Sequence, residues 1–471
     1  MNAETGLFWL PDTPETKVPG RLVAGQDGSA ALELIGAITP DLVESYDPGT
    51  NVTTSVPAPE QFNLLIHGFL SDVPRAVTLI DCFPAGRTRT SHQIATIRTQ
   101  TLRPRLLMRG ALVAGDAARF TGVRLRTAGF NTWAGMPRVD TSSPGDGSFE
   151  LKVPPLEAAD VPTGKGVRLT LVEEAATRQQ ANGDLGVTRR AWIQLTDIEA
   201  ATFRSISAEY VTALVGYLSF ARGASIPLTG LQVLYDGKWL SVTFQGMESG
   251  NDDTAARHDV LLPLRVTGLQ AVGNFVDVYR TVGPAVPITQ DALSNQRRAT
   301  LDTQVLELTT VAEGLHRDLY PTQERIPKQE AKRIRALVAD ALKDETNPRY
   351  KEIVIGTVLG FLEEPNYKSR LKQLIDEVAD AMPGLCGNQD EWIKRAAEAR
   401  NSYAHRKRGF IDESKIDEMY VISQALKWLF WAVILLKSDV PPHTLRERIT
   451  QHQPYQHLLA HAGQAVPAIY S

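Results

Sequence analysis

Cysteine is almost missing from this chain: Cys82 and Cys386 are the whole supply in 471 residues. Two thiols so far apart exclude a disulfide framework and suit a reducing cytosol, the location expected here. Long apolar runs are missing as well. The longest, Trp428 to Leu436, covers nine residues, whereas a membrane-spanning helix needs about 18 or more. A buried core helix is therefore expected there, and no membrane partner. The opening segment MNAETGLFWLPDTPE lacks the basic and apolar regions of a secretory leader. An excess of one charge is absent too, with 50 Lys+Arg against 54 Asp+Glu and a formal net charge of -4. That excludes a protein that coats nucleic acid through charge alone, but not a local basic site. Residues 291–471 hold 25 basic and 25 acidic residues, and 1–290 hold 25 and 29. Any charged partner must be read by a small arranged site.

What is present is ordinary globular composition, 43% hydrophobic, in a length that suits two or three domains. The first 280 residues read as β-rich. LIHGFL (65–70) and AVTLIDCF (76–83) are runs of strand length, and GVRLRT (122–127) sets Val123 and Leu125 against Arg124 and Arg126. Asp236-Gly237 between two apolar runs marks a hairpin. VRLTLVEE (167–174) and RAWIQLT (190–196) look like partners, with one helix near Ser207 to Phe220. TSSPGDGS (141–148) is a turn-rich break and a candidate subdomain boundary near 145. TVGPAVPITQ (281–290) reads as a linker, because Pro284 and Pro287 oppose both helix and central strand.

Beyond it the apolar spacing becomes three and four, the helical period, in successive segments from LDTQVLELTTVAEGLHRDLY to DESKIDEMYVISQALKWLFWAVILLK. Pro321, Pro327, Pro348, Pro365 and Pro383 punctuate them, and Asp412 is the expected N-cap of the last. The expected architecture is α+β and multidomain: a β-rich domain over 1–285, then an all-α helical bundle over 291–465.

Several motifs carry no chemistry. His316-Arg317-Asp318 spells the start of a kinase catalytic loop, but Gln323 stands where a metal-binding Asn is needed. Gly164-Lys165-Gly166 lacks the rest of a phosphate-binding loop. His457 and His461 share a helix face, yet no third metal ligand accompanies them. No nucleophile elbow or paired CxxC motif occurs.

One constellation remains: Arg400-Asn401-Ser402-Tyr403-Ala404-His405. Chance predicts about 0.7 pairs of Arg and His at this spacing, and Arg87 with His92 supplies one; requiring Asn after the Arg lowers the expectation to roughly 0.02. On a wheel of about 100° per residue from Ile393, the residues Ala396, Ala397, Tyr403 and Ala404 form a core-facing stripe. Arg400 falls within it, and Asn401 and His405 fall together at its edge. A guanidinium among apolar neighbours needs an anion. That anion is either an internal Glu such as Glu313 or a phosphate, which the planar fork of Arg suits. His405 can move a proton near neutral pH, Arg400 can stabilise charge on a phosphoryl oxygen, and Asn401 can orient either group. These groups need no metal and no cofactor to drive attack by an RNA 2′-hydroxyl on its own phosphate. Arg406-Lys407-Arg408 can hold the RNA strand or simply complement a helix end. One His serves poorly as both base and acid, which points to two copies meeting in a dimer.

These residues resemble the HEPN ribonucleases, whose mark is an Arg followed by a polar residue such as Asn and, a few positions on, by His. The β-rich half opening GLFWLPDTPETKVPGRL, with a bundle beginning LELTTVAEGLHRDLY, resembles the ApeA-type proteins of bacterial phage defence. The resemblance implies metal-independent cleavage of RNA, with tRNA one candidate, and a homodimer through the bundle or a higher oligomer. It implies abortive infection set off by a phage-derived trigger, with the N-terminal domain as sensor or regulator. It also gives Glu313, at an acidic position of an early bundle helix, a supporting role, and Tyr403 is a second supporting candidate. Two readings compete: a non-catalytic HEPN bundle that binds nucleotide or protein in a defence or toxin–antitoxin system, and a β-rich half that is itself the active binding module.

Overall fold

The computed structural model describes residues 2–39, 42–47, 52–57, 62–73, 75–91, 96–143, 145, 150–157, 159–179, 185–248, 260–294, 299–359, 362–404 and 415–470. Contacts divide the chain into two units, Met1–Arg222 with Ile226–Gly273, and Gly223–Ser225 with Asn274–Ser471.

In the first unit, β1 (Asn2–Trp9), β2 (Val18–Ala24), β3 (Ala30–Ile35), β6 (Leu64–Leu70), β7 (Ala76–Ser91) and β8 (Thr96–Arg103) build one barrel, and β4 (Leu42–Asp47) and β5 (Val52–Pro57) pair as a separate hairpin. The antiparallel order β7-β6-β1-β2-β3-β8 closes on itself, because β8 pairs with both β3 and β7. Closure removes the exposed edges of the ring. Phe8, Leu22, Leu32, Leu34, Ile66, Leu79 and Leu102 fill its interior. Gly68 makes room there, since a Cβ at that position would lie 2.6 Å from a Phe8 ring carbon.

The strand expected at 76–83 runs on to Ser91, and that length is what closes the barrel. Its first part pairs with β6 and with β9 (Leu106–Arg109), and its later part pairs with β8. The ladder shifts between Pro84 and Gly86, the kind of bulge that tolerates a proline lacking an amide hydrogen.

From β9 the sheet continues through β10 (Gly122–Thr127), β13 (Ala159–Pro162), β14 (Arg168–Gln179), β15 (Leu185–Thr196), β16 (Leu228–Tyr235) and β17 (Lys238–Phe244), in the order β13-β14-β15-β10-β16-β17-β9. The Asp236-Gly237 hairpin forms as read, with both residues at positive φ. The 168–179 and 185–196 strands pair along their length. On either side of the turn-rich 141–148 segment, part of which lies outside the described residues, β11 (Asp140–Ser142) and β12 (Glu150–Lys152) pair antiparallel. Short α1 (Phe130–Ala134) packs on β15, and a helical run through α2 (Phe203–Ile206), a π-helical turn and α3 (Thr212–Arg222) supplies core residues such as Leu214, Tyr217 and Phe220.

The alternation of β10 holds on one side and is misleading on the other. Val123 and Leu125 are buried as expected, but Arg124 is also only 9% exposed. Its guanidinium lies between the rings of Trp192 and Trp239, at 4.9 and 4.8 Å, and bonds to Glu174 at 2.5 Å and Gln232 at 2.8 Å. Stacking and charge pairing stand in for water around the buried guanidinium.

Helix α4 (Leu264–Val282) carries the chain across the division at Gly273/Asn274, and α5 (Ala285–Ala292) follows. The 281–290 stretch, expected as a linker, is therefore largely helical. Pro284 is the N-cap of α5 and Pro287 sits in its first turn, where amide hydrogens have no intrahelical acceptor to lose.

The second unit is a bundle. Its helices are α6 (Leu301–Leu319), α7 (Lys328–Ala341), α8 (Pro348–Glu352) with a π-helical turn, α9 (Tyr367–Val378), α10 (Gln389–Ala404), α11 (Ile416–Lys437), α12 (Pro442–Ile449), α13 (Gln453–Ala465) and α14 (Pro467–Tyr470). Helix α6 packs against α9, α10 and α11, and α11 also meets α5, α9 and α13. By length and composition α11 could cross a membrane, yet every residue from Trp428 to Leu435 is buried within the unit. Its described residues begin at Ile416, with Asp417 and Glu418 in the first turn; the expected N-cap Asp412 lies outside the described residues. Both cysteines are free and buried, and burial pushes both thiols above their ordinary range.

Candidate functional site

Helix α10 starts where Asn388 Oδ1 accepts from the Glu391 amide at 3.2 Å. Trp392, Ile393, Ala396 and Ala397 are buried along one side, so the apolar stripe read from the wheel is the face that packs. Arg400 continues that stripe into a half-buried position, and Asn401, next to it, is exposed. Tyr403 belongs to α10 by its backbone, but its side chain lies outside the described residues, as do His405, Arg406, Lys407 and Arg408. His92 of the chance pair is outside them too, while Arg87 Nη2 donates to Thr39 at 2.8 Å.

Arg400 meets the internal carboxylate named for it. Its Nη2 donates to Glu313 Oε2 on α6 at 2.5 Å, with side-chain exposures of 32% and 21%. Ion pairs this exposed add little stability. Of the five guanidinium donors, Glu313 engages one group, and among the described residues it is the one hydrogen-bond acceptor for Arg400. Among the described residues, the other donors of the fork meet no acceptor. Beneath the guanidinium lies Tyr367, the first residue of α9, with its ring centroid 4.8 Å from Arg400 Cζ. Such a contact contributes about 0.5–2 kcal/mol depending on how dry it is. The Tyr367 hydroxyl is buried with no hydrogen-bond partner among the described residues. Burial pushes that phenol well above its ordinary range; Arg400 opposes the shift and Glu313 adds to it.

The second oxygen of Glu313 is also used: Arg317 Nη2 lies 2.9 Å from Oε1 and reaches Glu364 at 3.4 Å. Glu313 therefore keeps a counter-charge even when Arg400 turns to another anion. Behind this pair lies His316, fully buried at 0% exposure. Arg370 Nη1 lies 3.1 Å from His316 Nδ1, and an arginine can only donate, so the ring hydrogen sits on Nε2 and points to Gln373 Oε1 at 2.8 Å. The kinase-like triplet is thus a polar seam between α6 and α9.

Burial holds the His316 imidazole below its ordinary 6.5; the Gln373 bond opposes that shift and the Arg370 charge adds to it. The neutral ring belongs to the folded state, so its contribution to stability is full above 6.5 and falls as the unfolded chain takes up a proton at lower pH. Burial and Lys427 lower His452 in the same sense. Thermal unfolding midpoints should therefore drop between about pH 7.5 and about pH 5.5, and His316→Gln should flatten that slope without abolishing it. An unchanged slope in the variant would refute the assignment.

The sequence signals for Arg400, Asn401 and Glu313 were available in advance. Tyr367, Arg317 and Arg370 were not: Pro365-Asn366 marks the start of α9, but nothing local couples Tyr367 to Arg400.

A helical bundle whose late helix carries Arg and Asn, with His five positions after the Arg, defines the HEPN class. Residues 306–443 match the family model described as Apea-like HEPN, and residues 3–210 match that of ApeA N-terminal domain 1. With both modules in this order, the chain belongs to the ApeA-like HEPN proteins, a family of anti-phage defence. No curated protein and no solved structure matches it.

Proposed function

We propose that the helical module is an endoribonuclease of bacterial anti-phage defence that cuts RNA without a metal cofactor. The observation that carries this reading is Arg400: a half-buried guanidinium held by Glu313 and Tyr367, with donors to spare among the described residues, in the HEPN segment of an ApeA-like chain. His405 takes the proton from the RNA 2′-hydroxyl, and the 2′-oxygen bonds to the adjacent phosphorus. Arg400 meets the charge that builds on the non-bridging oxygens, and the bond to the 5′-oxygen breaks, leaving a 2′,3′-cyclic phosphate. The 5′-oxygen leaves with a proton from a second acid, which a second copy's His405 supplies in a homodimer. Asn401 orients the reacting groups, and Arg406, Lys407 and Arg408 hold the strand. The β-rich domain acts as sensor or regulator in the cytoplasm and responds to a phage-derived trigger.

The test incubates the full chain with total RNA and with tRNA in EDTA, with and without extract of phage-infected cells. The wild type should leave cyclic phosphate ends and His405→Ala should not. Equal cleavage by both proteins, or none under any condition, sinks the reading. The Arg400–Glu313 pair also fits a second reading, a non-catalytic bundle that binds nucleotide or protein. There, His405→Ala would leave phage protection intact.

A further inference from the structure

Resting on the ribonuclease reading, we infer that Tyr367 is a positioning residue for that site: its ring is the platform that holds the Arg400 guanidinium where an RNA phosphate arrives. Among the described residues, the hydrogen bond that holds Arg400 is a single contact of 2.5 Å from one nitrogen to Glu313. One hydrogen bond fixes a distance and leaves the plane of the guanidinium free to turn. The Tyr367 ring, 4.8 Å from Cζ, removes that freedom, because a cation lies preferentially over the face of an aromatic ring. Tyr367 is itself set into the fold. It opens α9 behind Asn366, whose Oδ1 accepts from the Ser369 amide at 2.9 Å, and its hydroxyl is buried.

Charge balance favours the exchange this platform would serve. When Arg400 turns from Glu313 to a phosphate, Arg317 still lies 2.9 Å from the other Glu313 oxygen, so no carboxylate is left uncompensated. The flat ring keeps the guanidinium in place during that exchange with no bond that has to break. The hydroxyl finds no partner among the described residues, so the aromatic face is the part of Tyr367 that acts.

The experiment compares wild type, Tyr367→Phe, Tyr367→Leu, Arg400→Ala and the Tyr367→Leu/Arg400→Ala double variant. It reads single-turnover RNA cleavage in EDTA and, separately, affinity for an uncleavable 2′-O-methyl RNA by fluorescence anisotropy. Tyr367→Leu should lower both about tenfold, the scale of one cation–ring contact. Tyr367→Phe should stay within about twofold of wild type, and Tyr367→Leu should add nothing once Arg400 is gone. A leucine variant equal to wild type overturns the proposal. So does a phenylalanine variant as impaired as leucine, or a leucine effect that persists undiminished without Arg400. If no protein cleaves but the affinity pattern holds, the ribonuclease reading fails and the role of Tyr367 in holding Arg400 stands. Cleavage by wild type without the pattern fails Tyr367 alone, and absence of both binding and cleavage sinks both.

Discussion

Arg400→Ala is expected to slow RNA cleavage by about 10²–10³-fold, the loss typical when one preorganised donor to a developing oxyanion is removed. The effect should be catalytic rather than structural. The Arg400–Glu313 pair is partly exposed, and Arg317 still neutralises Glu313 after the substitution, so stability should fall by no more than the lost Tyr367 contact, about 0.5–2 kcal/mol. Arg400→Lys should recover little. A lysine is a point charge that cannot present two parallel N–H groups to a phosphate, and it stacks less well on the Tyr367 face. Single-turnover cleavage in EDTA measures this directly. Wild-type rates in Arg400→Ala would leave Arg400 as a structural ion-pair partner and nothing more.

Trp428→Ala should cost about 3–5 kcal/mol of helical-unit stability, the range for deleting a large aromatic side chain from a core. Trp428 is 1% exposed on α11 and meets Trp431, His452 and Tyr455 edge to face, with centroids at 5.5, 5.5 and 6.1 Å. Its removal leaves a cavity and unties α11 from α13. A domain holds only about 5–15 kcal/mol in total, so the loss should appear as an early separate transition in urea unfolding followed by far-UV circular dichroism. Trp428→Phe keeps part of the edge-to-face packing and should cost much less. A shift below about 1 kcal/mol in the alanine variant would mean that the bundle collapses into the vacated space.

Much of the helical unit was legible in the sequence because its signals are local. The three-and-four spacing of apolar residues and the prolines between segments set α6, α7, α9 and α10 close to where they stand. The Asp236-Gly237 hairpin was legible for the same reason: its turn chemistry lies within two residues. Local rules also erred in identifiable ways. Pro284 and Pro287 were read as breakers, but at the start of a helix a proline loses nothing. The alternation put Arg124 opposite Val123 and Leu125 but gave no sign of the two tryptophans from β15 and β17 that enclose it.

At the site, the placement of Arg400 toward the core and the naming of Glu313 as its partner came from helix periodicity and the cost of burying a charge. Chain composition, helical and strand period, turn chemistry and the Arg400-Asn401 pair were therefore determined by the sequence itself, since each depends on neighbours a few bonds apart. The closing of the barrel through β7 and β8, the shared grip of Arg400 and Arg317 on Glu313, the neutral buried His316 and the Tyr367 ring beneath Arg400 were decided only by the tertiary structure. Each joins side chains or strands that are remote in the chain, and their energies exist only once the fold has brought them within reach.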